Sequence, residues 1–137
     1  MIRDEIVAEA RTWIGTPWRH HGRNRAGIDC VGLGVVVASR LGITDYDSLD
    51  YGRKPVPGLV DHIRLVADEI PIDSAMPGDF FLIRDQGYPF HVAFVSEKHG
   101  VKHIIHAHAR RRKVVEEPFA HEWPGLIMSA WRLKGVQ

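Results

Sequence analysis

The chain holds one cysteine, Cys30, and nine histidines. A thiol and an imidazole are the simplest side-chain pair for acyl transfer, because the sulfur attacks a carbonyl while the ring takes up and returns the proton. With one cysteine there is no internal disulfide, which leaves inert packing, an intermolecular link or a nucleophile. The stretch IDCVGLGVV sets the thiol directly after Asp29, at the head of an apolar run. That address is the first turn of a helix, where the dipole and free N–H groups favour thiolate. The Asp29 carboxylate opposes a second negative charge, so the thiol needs a cationic or proton-accepting partner, and histidine suits that role.

His91 opens the segment HVAFV, where alternation puts His91, Ala93 and Val95 on one face. His106 and His108 of IIHAHA share a face in the same way. If the two segments are neighbouring antiparallel strands, His91 meets one of these two rings. A metal site is the rival chemistry, drawing on His20, His21, His91, His106 and His108. The chain lacks HExxH, so such a site depends wholly on tertiary convergence. The bland alternatives are a packed Cys30 and an Asp29 that only caps a helix.

Elements must position these groups. Ile2, Ile6, Ala10 and Trp13, with Val7 and Ile14, recur at helical steps, and Gly15 and Pro17 end the pattern. TPWRHHGRNRAG, residues 16–27, has no period and reads as a loop. Asp29 then caps a second helix that begins at Cys30, carries Leu33, Val37, Ala38 and Leu41, and closes at Gly42. A variable stretch follows to Gly58, with Pro55 and Pro57, before a third helix through Leu59, His62, Ile63 and Val66. After Met76-Pro77-Gly78-Asp79 the period becomes that of strands in FFLIR, HVAFVSE, KHIIHAHA, KVVEE and LIMSAWRL. Helices first and strands second predict an α+β domain with about five antiparallel strands.

The 137 residues suit a single domain spanning 1–137. A formal charge of +1 gives no global attraction to nucleic acid. The run Arg110, Arg111, Arg112 and Lys113, with Arg23 and Arg25, is basic but lacks interleaved aromatic rings, and it reads as a solvated turn. Nucleic acid is therefore not an expected partner. The N-terminus carries Asp4, Glu5 and Glu9 and does not read as a secretory signal. No segment approaches the length of a membrane helix.

The blocks GTPWRHHGRNRAGIDCVGL, MPGDFFLI, HVAFV and IIHA resemble, in order, the signature blocks of the NlpC/p60 superfamily of papain-like cell-wall cysteine peptidases. The resemblance runs from about Gly15 to His108. It implies a papain-like domain in which Cys30 is the nucleophile, His91 the general base and His106 the orienting residue, with His108 as the alternative. It also implies hydrolysis of an amide in peptidoglycan stem peptides, often between D-glutamate and a diamino acid, with no cofactor and no metal. The Cys30 N–H is a candidate oxyanion donor, and Asp29 and Trp18 are candidate substrate contacts. Three positions depart from the pattern: Trp18 stands for the usual tyrosine, Val31 for the serine after the cysteine, and Ala93 for the glycine of HVG.

The resemblance is strongest to small peptidases of phage tails and gene-transfer particles. It implies synthesis in the cytoplasm, tail proteins as partners, and delivery to the cell wall by the particle. A non-catalytic tail-tip subunit that keeps the fold is the alternative.

Overall fold

Ile6, Val7 and Ala10 form the buried stripe of α1 (Ile2–Arg11). The computed structural model describes residues 2–52, 58–85 and 88–137, with only the backbone at 85 and 88–90. Pro55 and Pro57 of the variable stretch lie outside the described residues. The apolar period of the first helix extends past its end: Trp13 is buried in the turn after Arg11, its indole donating to Glu9 at 3.0 Å.

The segment read as a loop contains a short hairpin, β1 (Arg23–Asn24) with β2 (Gly27–Ile28). Close approach of backbone fixes it there. A Cβ on Gly22 would sit 2.2 Å from the Gly27 carbonyl oxygen, and one on Gly32 would sit 2.3 Å from the Gly22 oxygen. Glycine is needed at both places because any side chain would meet main chain. The loop is thereby pressed onto the first turn of α2 (Cys30–Arg40), with α3 (Leu59–Val66) following later in the chain.

The second half builds one antiparallel sheet of six strands: β3 (Ala67–Ile70), β4 (Phe80–Asp85), β5 (Tyr88–Lys98), β6 (Val101–His108), β7 (Lys113–Pro118) and β8 (Ile127–Leu133). Their spatial order is β3-β8-β4-β5-β6-β7. The strand beyond the expected five is β3, whose short ADEI sequence lacks an apolar alternation and forms by pairing with β8 at the sheet edge. Asp79 of the MPGD turn is fully buried and accepts from Arg3 of α1 and from Arg132 of β8, both at 3.0 Å. This clamp ties the first helix to the last strand.

Each face of the sheet covers its own core. On the helical face, Phe80, Leu82, Val92, Phe94, Ile105 and Ala107 pack against Ile6, Leu33 and Val37. On the other face, Phe81, Ala93, Val95 and Ile104 pack with Trp123, which a 3₁₀ turn (Trp123–Leu126) folds over them. No helix among the described residues is long and apolar enough to cross a membrane.

Candidate active site

Asp29 caps α2 as its sequence position predicts, its side chain accepting from the Gly32 N–H at 2.8 Å. It does more than cap. The same oxygen accepts from Arg23 Nη1 at 3.1 Å, and the other accepts from the His21 N–H at 2.8 Å and the Tyr51 hydroxyl at 2.7 Å. Four donors thus converge on one buried carboxylate, and Arg23 continues outward to Asp47. Asp29 joins the hairpin loop, the helix start and the segment around Tyr51 into one rigid wall beside the thiol.

Cys30 is half-buried as a residue, yet its sulfur is strongly desolvated. Burial and the Asp29 charge push the thiol up to about 12, against hydrogen bonds from the backbone of Val92, Val31 and Cys30 itself. The expectation that the helix start would favour thiolate at rest is therefore corrected. The N–H groups do point at the sulfur, but desolvation and the neighbouring carboxylate outweigh them.

The Val92 contact places the sulfur in the sheet. Strands β5 and β6 pair from Phe94–Ile105 to Lys98–Val101, whereas β5 pairs with β4 through His91–Ile83 and, after a register shift, Tyr88–Asp85. Val92 therefore lies beyond the end of the β5–β6 ladder, and its amide is turned to Cys30. Here the helical layer reaches the peptide that joins His91 to Val92. His91 itself points to the opposite face, among Trp123 and the two histidines of β6, with ring centroids 6.4 Å from Trp123, 4.8 Å from His106 and 5.4 Å from His108.

His91 and His106 are both buried and share a hydrogen bond, His91 Nε2 to His106 Nδ1, at 2.5 Å. Burial, followed by the fields of His106, His108 and Arg110, holds the His91 ring well below its usual pKa, so it is a neutral base at pH 7. His106 Nε2 in turn meets Glu117 Oε2 at 2.8 Å. Burial raises the Glu117 pKa, but hydrogen bonds from His106, Arg111 and Trp123 outweigh it and leave this carboxyl at about 2. The chain of contacts is Glu117, His106, His91, and then the backbone that carries the sulfur.

Glu117 is the residue that sequence reading missed. His106 pairs with Val115 across β6 and β7, so Glu117 is its diagonal neighbour on the same face, within reach of a long side chain. His108 lies on that face too, where its Nδ1 accepts from the Arg111 N–H at 3.3 Å. The hydrogen bond to His91 is made by His106. Trp18 is half-buried on the hairpin side, its backbone bridged to Ile28 and its N–H donating to Arg112 at 2.9 Å.

The five histidines of the metal reading fall in two groups: His20 and His21 stack at 3.9 Å beside Tyr51, while the other three lie under Trp123. Among the described residues, no group of three or more His, Cys, Asp or Glu is arranged to hold a metal ion. The basic run forms the turn between β6 and β7, and Arg111 bonds Glu117 at 3.2 Å.

No family sequence model matches the chain, and no curated protein matches it by sequence. Solved structures do match. The NlpC/p60 domain of the peptidoglycan hydrolase SagA superposes with a TM-score of 0.61 over 93% of this chain and 96% of that one, at 23% identity. The chain has the NlpC/p60 fold. NlpC1 from Trichomonas vaginalis is similar with a TM-score of 0.71 at 19% identity, over 96% of this chain and 44% of that longer one. An N-acetylmuramoyl-L-alanine amidase from Bacteroides uniformis gives 0.68 at 12% identity, covering 96% and 98%.

Proposed function

We propose that the protein is a cysteine hydrolase that cleaves an amide bond in peptidoglycan stem peptides, with Cys30 as nucleophile. One observation carries the reading: the sulfur lies on the His91–Val92 peptide, and behind His91 stands a buried hydrogen-bonded series ending in the carboxylate of Glu117. With Nε2 held by His106, the Nδ1 of His91 is the nitrogen available to the thiol. Because thiol and imidazole are both neutral at rest, the proton leaves sulfur for Nδ1 as sulfur attacks the carbonyl carbon. N–H groups of Cys30 and Val31 at the helix start face the developing oxyanion. The ring then returns its proton to the leaving amine as the C–N bond breaks. Water attacks the thioester, giving the carboxylic acid and the free thiol, with His91 again moving the proton.

His106 fixes the ring, and Glu117 fixes His106 and stabilises positive charge on the pair, as the acid of a triad does. The stem-peptide substrate draws support from the likeness to the domain of a peptidoglycan hydrolase, SagA, and to an N-acetylmuramoyl-L-alanine amidase. The bond from D-glutamate to a diamino acid is part of the same proposal. Mass analysis of muropeptides released from purified peptidoglycan tests it, since a new amino terminus on the diamino acid names that bond. The phage-tail setting is also a proposal, resting on the motif blocks alone, and co-sedimentation with tail particles would test it. The reading as a non-catalytic tail subunit draws on Trp18 and Val31, which stand where the family pattern has a tyrosine and a serine.

A further inference from the structure

Two basic segments border the thiol. Residues 15–18 run beside the start of β7: the Gly15 N–H donates to the Val114 carbonyl, the Val114 N–H to that of Thr16 and the Trp18 N–H to that of Arg112, each at 2.9 Å. The loop before Cys30 and the turn between β6 and β7 are thereby joined into one rim. The loop reaches the nucleophile, since Asp29 holds both the His21 N–H and the Arg23 side chain. The turn reaches the base. It follows His108 directly, and the charge of Arg110, after burial and the fields of His106 and His108, depresses the His91 pKa. The two acids behind this rim face inward: Asp29 takes its four donors, and Glu117 takes His106, Arg111 and Trp123. Arg19, Arg112 and Lys113 are exposed, and among the described residues no carboxylate pairs with any of them. The stem of Arg19 lies on Gly27, where a Cβ would sit 2.5 Å from that of the arginine. Arg112 takes φ 65, a left-handed backbone that favours glycine, so the turn keeps a cation where its conformation alone would not select one.

We propose that this rim recognises the free carboxylate of a glutamyl residue at the bond that Cys30 attacks, so that the protein prefers stem peptides whose glutamate is not amidated. The inference rests on the reading of Cys30 as nucleophile and of stem peptides as substrate. Glutamate has two carboxyl groups. Whichever one forms the scissile amide, the other stands a few bonds from the reacting carbonyl, as a carboxylate or as a carboxamide. Arginine and lysine side chains only donate, so they bond a carboxylate with charge assistance, whereas a carboxamide offers one neutral oxygen and N–H groups that find no acceptor on them. Asp29, the acid next to the sulfur in sequence, is buried and ion-paired with Arg23 at 3.1 Å, which offsets its repulsion of a substrate anion. Like charges along the mouth also raise the local concentration of an acidic peptide.

The test uses the full chain and two synthetic stem peptides, identical except that the free carboxyl of the glutamyl residue is a carboxylate in one and a primary amide in the other. kcat/KM should favour the carboxylate about tenfold, the gain of one charge-assisted hydrogen bond over a neutral one. The preference should shrink at about 0.5 M salt, because the rim is exposed. Combining Arg19→Gln, Arg112→Gln and Lys113→Gln, all at exposed positions, should remove most of it. Cys30-dependent cleavage of both peptides at equal rates, or a preference that the triple variant keeps, overturns the rim and leaves the hydrolase in place. A second readout does not need turnover: Cys30→Ala titrated with each peptide and followed by amide chemical shifts. Saturable shifts at Arg19, Arg112 and Lys113, with the carboxylate form binding more tightly, support the site. Equal affinity of the two forms, or no shift from either, overturns it even if the protein proves not to be a hydrolase.

Discussion

The His91 ring is held by His106, Nε2 to Nδ1 at 2.5 Å, whereas His108 touches the same ring with centroids 5.4 Å apart. A group that fixes the general base should matter more than one that packs against it. His106→Ala is expected to lower kcat by on the order of a hundredfold, the low end of what a positioned base contributes. His108→Ala should lower it less, and turnover on peptidoglycan measured side by side gives the ranking.

Glu117 should be felt in both turnover and stability. Glu117→Gln keeps the shape but removes the charge behind His106, and it should reduce kcat about tenfold or more with little change in KM. The carboxyl sits at about 2 in the folded protein against an ordinary 4.5. Its folded value is depressed, so its stabilising contribution is present above about 4.5 and is lost as pH falls through about 2. Urea unfolding at pH 6 and pH 3 should show wild type losing more stability than Glu117→Gln, by at most about 2 kcal/mol.

The neutral resting thiol has a kinetic signature. With its pKa near 12, alkylation of Cys30 by iodoacetamide should still be climbing between pH 9 and 10.5, where an ordinary thiol has levelled off. Rates read by intact mass would instead be flat from mildly acid pH upward if sulfur and His91 rested as an ion pair. Stability also follows the protonation of His91. Its folded pKa is depressed, so stability is complete above about 6.5 and declines as pH falls below that value.

Removing Asp29 should cost the fold more than a lost cap. Asp29→Ala strips a helix cap and leaves Arg23, whose side chain is 19% exposed, without its buried partner. Loss of a cap costs about 1 kcal/mol; Arg23 keeps its ion pair with Asp47, and the stranded His21 N–H and Tyr51 hydroxyl add about 1 kcal/mol each. Denaturant unfolding reads the sum, and the double variant with Arg23→Ala should lose less than the two single losses added together, because both changes break one network.

Much of this arrangement is legible in the residues. The Asp29 cap, the helix starting at Cys30, and the shared face of His106 and His108 all follow from spacing, because caps and strand alternation are local. What is not legible depends on register and closure. KVVEE offers Glu116 and Glu117 on opposite faces, and only the turn at 109–112 decides which one stands behind His106. The 16–27 segment shows no period because glycine contacts between its own backbone and α2 hold it, and no repeating side-chain pattern records them. The contact of the helical-face sulfur with the Val92 amide arises where the β5–β6 ladder ends, a feature that neither strand encodes alone.

Digestion of purified peptidoglycan by wild type and by Cys30→Ala, with counting of newly exposed amino groups, addresses the central claim most directly. The account predicts steady release by wild type and none above background by the variant, with both proteins equally folded. Equal release by the two proteins, or none from a wild type whose thiol is shown to be reduced and intact, would contradict it.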